Sequence, residues 1–231
     1  MSLNMNYHYT NPKERPSTLA NDRLKLKVCG MNHNTAEIAS LQPDYLGFIF
    51  WKNSKRFFDG NMPPIPHTIK KVGVFVDETI EKVLQSIQDF NLLLIQLHGN
   101  ENAEYCAKLK EKAKHVAIIK VFSIQNNFNF DTLLDFEDHC DFYLFDTKGK
   151  LPGGNGFAFD WKVLEDYPST KPYFLSGGIG LDELDSIHEF TKRPEAKFCH
   201  AIDVNSKFEI KPGLKEAAKI KEFKKLLNTN D

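Results

Sequence analysis

The sequence has no run of eighteen apolar residues, which removes a membrane-spanning helix from consideration. It has no surplus of either charge: 30 Lys and Arg stand against 31 Asp and Glu, for a formal net charge of −1. Nonspecific binding to nucleic acid or to an anionic membrane needs a basic excess, so neither is expected as a partner. The four cysteines, Cys29, Cys106, Cys140 and Cys199, contain no CxxC pair. That argues against a disulfide scaffold and fits a reducing, cytoplasmic setting. Cys140 and Cys199 each adjoin a histidine (His139, His200), but adjacent residues point in different directions, so no metal site is expected. The N-terminal region also lacks the apolar core of a secretory signal. Residues 1–23 are polar, with two prolines and no apolar period, and read as a loosely attached arm whose first three residues, MSL, resemble a vector scar. What is left is a soluble globular enzyme or binding domain. With 41% hydrophobic residues in 231, it has enough apolar material for a sizeable core.

From Leu24 onward, short apolar runs alternate with longer, helix-like stretches. The runs are LKLKV (24–28), YLGFIF (45–50), VGVFV (72–76), LLLIQL (92–97), VAIIKVF (116–122), FYLFD (142–146), PYFLS (172–176) and CHAID (199–203). They are short, rich in β-branched and aromatic residues and almost continuously apolar, as strands buried on both faces are. Between them, Thr79–Phe90 carries Ile80, Val83, Leu84 and Ile87 at helical spacing, and Leu181–Phe190 and Leu214–Leu227 read similarly. Pro63, Pro64 and Pro66 leave room for only a short helix after the second run, and the helix after the fifth is the other weak link. Eight βα units of roughly 25 residues fill residues 24–231 as a single (β/α)8 TIM barrel, an eight-stranded parallel barrel with outer helices. A doubly wound sheet is the runner-up, but it usually has fewer strands and a glycine-rich first turn, and none follows Val28.

Barrel enzymes carry their chemistry at the C-terminal ends of the strands. Those ends hold Cys29-Gly30, then Lys55-Arg56, then Gln96 with His98-Gly99, then Asp146 followed by a glycine-rich loop (PGGNG, 152–156). The last two give SGGIG (176–180) and Asp203, Asn205 and Ser206. Each has a plainer reading taken alone. Cys29 would be a small buried hydrophobe, Asp146 a loop cap, Lys55-Arg56 a solvated basic pair, and His98-Gly99 a turn. Gly177 and Gly178 before a helix are a stronger signal, because bare backbone N–H groups at a helix start attract an anion.

In this order the strings KVCGM (27–31), DYLGFIFWKNSKRF (44–57), VGVFVDE (72–78), IQLHGNE (95–101), LFDTK, PGGNGFAFDW (152–161), LSGGI (175–179) and AIDVNSKFEIKPGLKE (201–216) resemble the phosphoribosylanthranilate isomerases of tryptophan biosynthesis. The resemblance runs from Leu24 to the C-terminal helix. It implies an Amadori rearrangement of N-(5′-phosphoribosyl)anthranilate, with no metal and no coenzyme, in a monomer or homodimer. It also implies Cys29 as general base, Asp146 as general acid and Arg56 as binder of the anthranilate carboxylate. Phosphate would be held by Gly154, Asn155, Gly156, Gly177, Gly178, Asn205 and Ser206, with Gln96 and His98 lining the rim. For this division of labour the run Phe142–Phe145 would set Asp146 in an apolar wall favouring its protonated form, while a local positive potential would ease ionisation of Cys29. The sequence departs from the family at Phe157, where a polar loop residue is usual, and at Trp51, which follows the second strand and is expected to shape the anthranilate pocket. Three other readings compete. They are a non-catalytic phosphosugar-binding barrel, the related sugar isomerase of histidine synthesis, and an enzyme using Cys29 as nucleophile with His33 or His98.

Overall fold

The computed structural model describes residues 23–124, 127–147 and 160–229. Eight parallel strands form a closed barrel in chain order: β1 (Lys25–Val28), β2 (Tyr45–Ile49), β3 (Lys70–Phe75), β4 (Leu94–Leu97), β5 (Ala117–Ile124), β6 (Phe142–Thr147), β7 (Tyr173–Leu175) and β8 (Cys199–Val204). All eight expected strands are present, displaced by no more than two residues at either end. The arm at residues 1–22 lies outside the described residues.

Period-two alternation sorts each strand into two faces. In β6, Phe142 and Leu144 join the inner cluster with Tyr45, Val72, Leu94, Ile119 and Phe174. Tyr143 and Phe145 belong to the outer cluster, between the barrel and its surrounding helices. Each fully buried Leu, Ile or Phe contributes about 1.5–3 kcal/mol of transfer free energy. The N-terminal end of the interior is closed by aromatic rings. Phe174 meets Tyr45 and Phe142 edge-on, with centroids 5.4 Å apart in both cases. The His200 ring lies 4.8 Å from that of Phe142, and its Nε2 is 2.7 Å from the Tyr45 hydroxyl.

The outer layer is only partly α-helical. Helices α1 (Thr35–Ser40), α2 (Ile80–Phe90), α3 (Ala103–Lys112), α4 (Leu184–Thr191) and α5 (Ala217–Leu226) follow β1, β3, β4, β7 and β8. Thr79 caps α2 by accepting the Lys82 N–H, and Asn91 ends it in the left-handed conformation. The β2–β3 connection, with its three prolines, contains no helix. After β5 and β6 the chain forms 3₁₀ turns at Phe130–Phe136 and Trp161–Asp166. Their apolar residues explain the choice. Phe130, Leu133 and Phe136, and likewise Trp161, Leu164 and Tyr167, recur every three residues, the period of a 3₁₀ helix and not of an α-helix.

The expected helix over Leu214–Leu227 is corrected at its start. Glu209–Lys211 (β9) and Leu214–Lys215 (β10) form an antiparallel hairpin turned at Gly213, which has a positive φ of 81°. Helix α5 begins only at Ala217. Among the described residues no helix is long and apolar enough to cross a membrane.

Candidate active site

The C-terminal mouth of the barrel holds a cavity walled by Cys29, Gln96, His98, Asp146, Asp203, Asn205 and Ser206, together with Trp51, Ser54 and the Ser176–Ile179 turn. Sequence reasoning singled out most of these residues, and the fold brings them together. Gly154, Asn155 and Gly156, along with Phe157, lie outside the described residues. His33 does not line the cavity. Its backbone N–H bonds to the Gly213 carbonyl at 3.0 Å, leaving His98 as the histidine of the site.

Cys29 follows β1 directly, and its N–H extends the ladder to the Val204 carbonyl at 2.9 Å. The thiol is 5% exposed. Gly47, on β2, makes room for it, since a Cβ there would come within 2.8 Å of Sγ. Two residues earlier on the same face, Lys27 is fully buried and its Nζ lies 2.7 Å from Asp203 Oδ2 on β8. Burial pushes the Cys29 thiol above its ordinary range, and the nearby Lys27 and Lys215 ammoniums oppose this without overcoming it. The positive potential expected around Cys29 is therefore present, yet the resting group is a thiol.

Asp146 sits near the end of β6. Its Oδ1 accepts the Thr147 N–H at 2.9 Å, and its Oδ2 lies 3.4 Å from His98 Nε2. Only half of the expected apolar wall is its neighbour. Phe142 and Leu144 share its face, whereas Tyr143 and Phe145 point outward and Phe145 packs on Tyr167 at 5.6 Å. The histidine ring is held in turn by Gln96, whose Nε2 is 3.4 Å from His98 Nδ1. Two buried acceptors in this cavity, Gln96 Oε1 and Asp203 Oδ1, have no partner among the described residues. Burial raises the Asp203 carboxyl against the pull of Lys27.

Arg56 is engaged inside the protein. Its Nε lies 2.9 Å from both Glu209 oxygens, and its Nη2 donates to Oε2 at 2.7 Å. Glu209 also accepts from Lys215 Nζ at 2.8 Å and from the Gly213 N–H at 3.1 Å. Burial alone would raise the Glu209 carboxyl, but these cations hold it below its ordinary value. Arg56 is not among the residues lining the cavity, while Trp51 and Ser54 from the same loop are. Lys215, buried to 1% exposure, also donates to Asn205 Oδ1 at 2.7 Å. Sequence reasoning passed over Lys27, Glu209 and Lys215. The one available signal was in LKLKV, the only strand whose lysines alternate with apolar residues.

On the anion-binding side, Gly177 and Gly178 have φ of 96° and 67°, which side chains rarely tolerate. A Cβ on Gly177 would also strike Thr147, 2.6 Å from its backbone nitrogen. The turn is thereby pressed against the end of β6, with bare backbone at the mouth. Among the described residues no cluster of three or more His, Cys, Asp or Glu is arranged to hold a metal.

A closed (β/α)8 barrel whose C-terminal mouth gathers a thiol, carboxyls, a histidine and a bare glycine turn in one cavity has the layout of a barrel enzyme. A sequence model of the family "N-(5'phosphoribosyl)anthranilate (PRA) isomerase" matches residues 26–225. The N-(5'-phosphoribosyl)anthranilate isomerase of Parabacteroides distasonis is 39% identical over 206 residues, 86% of this chain and 90% of the relative. The crystal structure of the phosphoribosyl anthranilate isomerase of Thermotoga maritima superposes with a TM-score of 0.71 at 29% identity, covering 88% of this chain and 98% of that one. A further crystal structure of a phosphoribosyl anthranilate isomerase, in complex with reduced 1-(o-carboxyphenylamino)-1-deoxyribulose 5-phosphate, gives 0.69 at 27% identity with the same coverage. The chain belongs to the phosphoribosylanthranilate isomerase family.

Proposed function

We propose that this enzyme converts N-(5′-phosphoribosyl)anthranilate into 1-(o-carboxyphenylamino)-1-deoxyribulose 5-phosphate in cytoplasmic tryptophan biosynthesis, with Asp146 as general acid and Cys29 as general base. The observation carrying this reading is that Cys29 and Asp146 line one cavity at the barrel mouth. In the reaction, Asp146 protonates the furanose ring oxygen, the C1–O bond breaks, and the anilino nitrogen lone pair forms an iminium. Cys29, as thiolate, removes the proton from C2. The C–H electrons form the C1–C2 double bond of an enolamine while the iminium π electrons return to nitrogen. Tautomerisation of the C2 enol gives the ketone. The iminium is the electron sink, so the steps balance without another redox partner.

The phosphate is assigned to the turn at Gly177 and Gly178 and to Asn205 and Ser206; Gly154, Asn155 and Gly156, also expected to hold it, lie outside the described residues. Arg56 is assigned to the anthranilate carboxylate. Its Nε and Nη2 are bonded to Glu209, which fixes the guanidinium plane and leaves the Nη1 edge for the substrate. Trp51, in the cavity wall, offers its ring to the anthranilate. The test is to add freshly generated substrate to the pure protein without metal or coenzyme and follow loss of anthranilate-type fluorescence. Turnover is expected. Its absence would overturn the reading in favour of a phosphosugar-binding barrel.

A further inference from the structure

Among the described residues three lysine–carboxylate pairs have buried side chains; Lys215–Glu209 flanks the mouth, and the other two are bonded differently. On the outer face of β5, Lys120 is bonded to Glu101 of the loop after β4, and both are well satisfied. Lys120 Nζ donates to Glu101 Oε2 at 2.9 Å and to the Gly99 carbonyl at 2.8 Å. Glu101 in turn accepts the N–H groups of Asp77 and Gly99, both at 2.9 Å. That pair staples two loops together. Inside the barrel, Lys27 and Asp203 meet at 2.7 Å, but Asp203 Oδ1 has no hydrogen-bond partner among the described residues, and Cys29 follows Lys27 by two positions along the same strand face.

A buried pair left partly unsatisfied gives little net stability, because desolvation consumes the Coulomb gain. Lys27 and Cys29 share one face of β1, and Lys27 and Asp203 are register partners across the β1–β8 ladder. The lysine cannot reach solvent, so its charge can be answered only by Asp203 and by the cavity. Gly47 meanwhile leaves the thiol no side chain to lean on from β2.

We propose that Lys27 is a positioning residue for the reaction: held by Asp203, its ammonium is the fixed counter-charge that allows Cys29 to ionise inside the barrel. This rests on the reading of Cys29 as general base. The other groups facing the thiol set the balance. Lys215 from β10 adds to the effect of Lys27, and Asp203 from β8 opposes it. Glu209 stands behind Lys215 and neutralises part of its charge, and Arg56 is paired with Glu209 in turn, while His98 and Asp146 face the same cavity from the ends of β4 and β6. Lys27 itself is held protonated: burial would lower it, and Asp203 and Cys29 together more than compensate.

The experiment titrates Cys29 directly in the full chain without substrate, as the ultraviolet thiolate absorbance lost in Cys29→Ala. Removing the charge in Lys27→Met should raise the titration midpoint by at least about one pH unit, a tenfold loss of thiolate below it. Lys27→Arg, which keeps the charge, should stay close to wild type. Equal midpoints in wild type and Lys27→Met would overturn the proposal. Coupling is reciprocal, so a second reading works on the wild-type fold even if Lys27→Met fails to fold. The ¹⁵N resonance of Lys27 Nζ should shift with the same midpoint as the Cys29 absorbance and lose that transition in Cys29→Ala. A resonance indifferent to the thiol would overturn the proposal. Substrate turnover, assayed separately, distinguishes the two claims: turnover with no midpoint shift defeats the role of Lys27 alone. A midpoint shift in a protein without turnover defeats the isomerase reading and leaves the Lys27–Cys29 coupling standing.

Discussion

At the N-terminal ends of the strands, Tyr45, Phe142, Phe174 and His200 pack ring against ring and close the barrel. Four residues further along β6, about 13 Å at ~3.3 Å per residue, the same inward face carries Asp146. Across the interior at that level stand Cys29, Gln96 and Asp203. The lower region is saturated: its rings are in contact and its one hydroxyl–imidazole pair is closed at 2.7 Å. The upper region is not, for Gln96 Oε1 and Asp203 Oδ1 are buried without partners among the described residues. Satisfying every group gives rigidity at the bottom, and leaving acceptors bare at the top keeps hydrogen-bonding capacity for a ligand. Substitutions at the two ends should therefore be read by different instruments.

The largest effect is expected at the top. Asp146→Asn and Cys29→Ala should each lower kcat by about 10²–10⁴-fold with a small change in KM and in thermal stability. Full activity in either would remove that residue from the mechanism. At the bottom, Phe174→Ala should cost about 3–5 kcal/mol in denaturant unfolding, with kcat of the folded protein unchanged. A kcat loss without destabilisation would show that the ends are not separable. Gly47→Ala lies between them in character. Its methyl would displace Sγ of Cys29, and a shift of that size is expected to lower kcat by about 10–10²-fold while the chain stays folded. Unaltered kcat would mean that the thiol need not be held where it is.

Arg56→Ala should raise KM for the anthranilate substrate about tenfold, as loss of one charge-assisted bond would. An unchanged KM would confine Arg56 to holding Glu209. The smallest effect concerns acid. Glu209 is held below its ordinary value in the folded chain, so its contribution to stability is present above the unfolded value of about 4.3. That contribution is lost as pH falls through the lower folded value. Glu209→Gln should flatten the stability–pH curve over that acid window, and a curve parallel to wild type would contradict the assignment.

Most of the eight strands were readable because they are sealed on both faces, leaving a nearly continuous apolar signature that β1, with its alternating lysines, lacks; the proline-rich β2–β3 connection was readable for the opposite reason. The 3₁₀ turns were less so. FDTLLDF and WKVLEDY look like failed helices at a 3.6-residue period and resolve only at a period of three. The site was legible where glycines, a thiol and a carboxyl fall at strand ends. It was obscure where charge is buried. Lys215 sits in what reads as the first turn of a helix, and Glu209 in a polar loop, until the β9–β10 hairpin folds both against the mouth.

The near balance of 30 basic against 31 acidic residues gives no reason to expect nucleic acid or an anionic membrane as a partner, and leaves anions to be met by local groups. The order of the strands, the places of Cys29, Asp146 and the Gly177-Gly178 turn, and the family followed from sequence alone, because local pattern and strand-end position carry them. Which cation each anion meets was decided only by the tertiary structure. Lys27 finds Asp203 across 176 positions of chain, and Arg56 finds Glu209 across 153. Pairings at such separations exist only once barrel closure brings β1 beside β8 and removes the water that would otherwise solvate each charge alone.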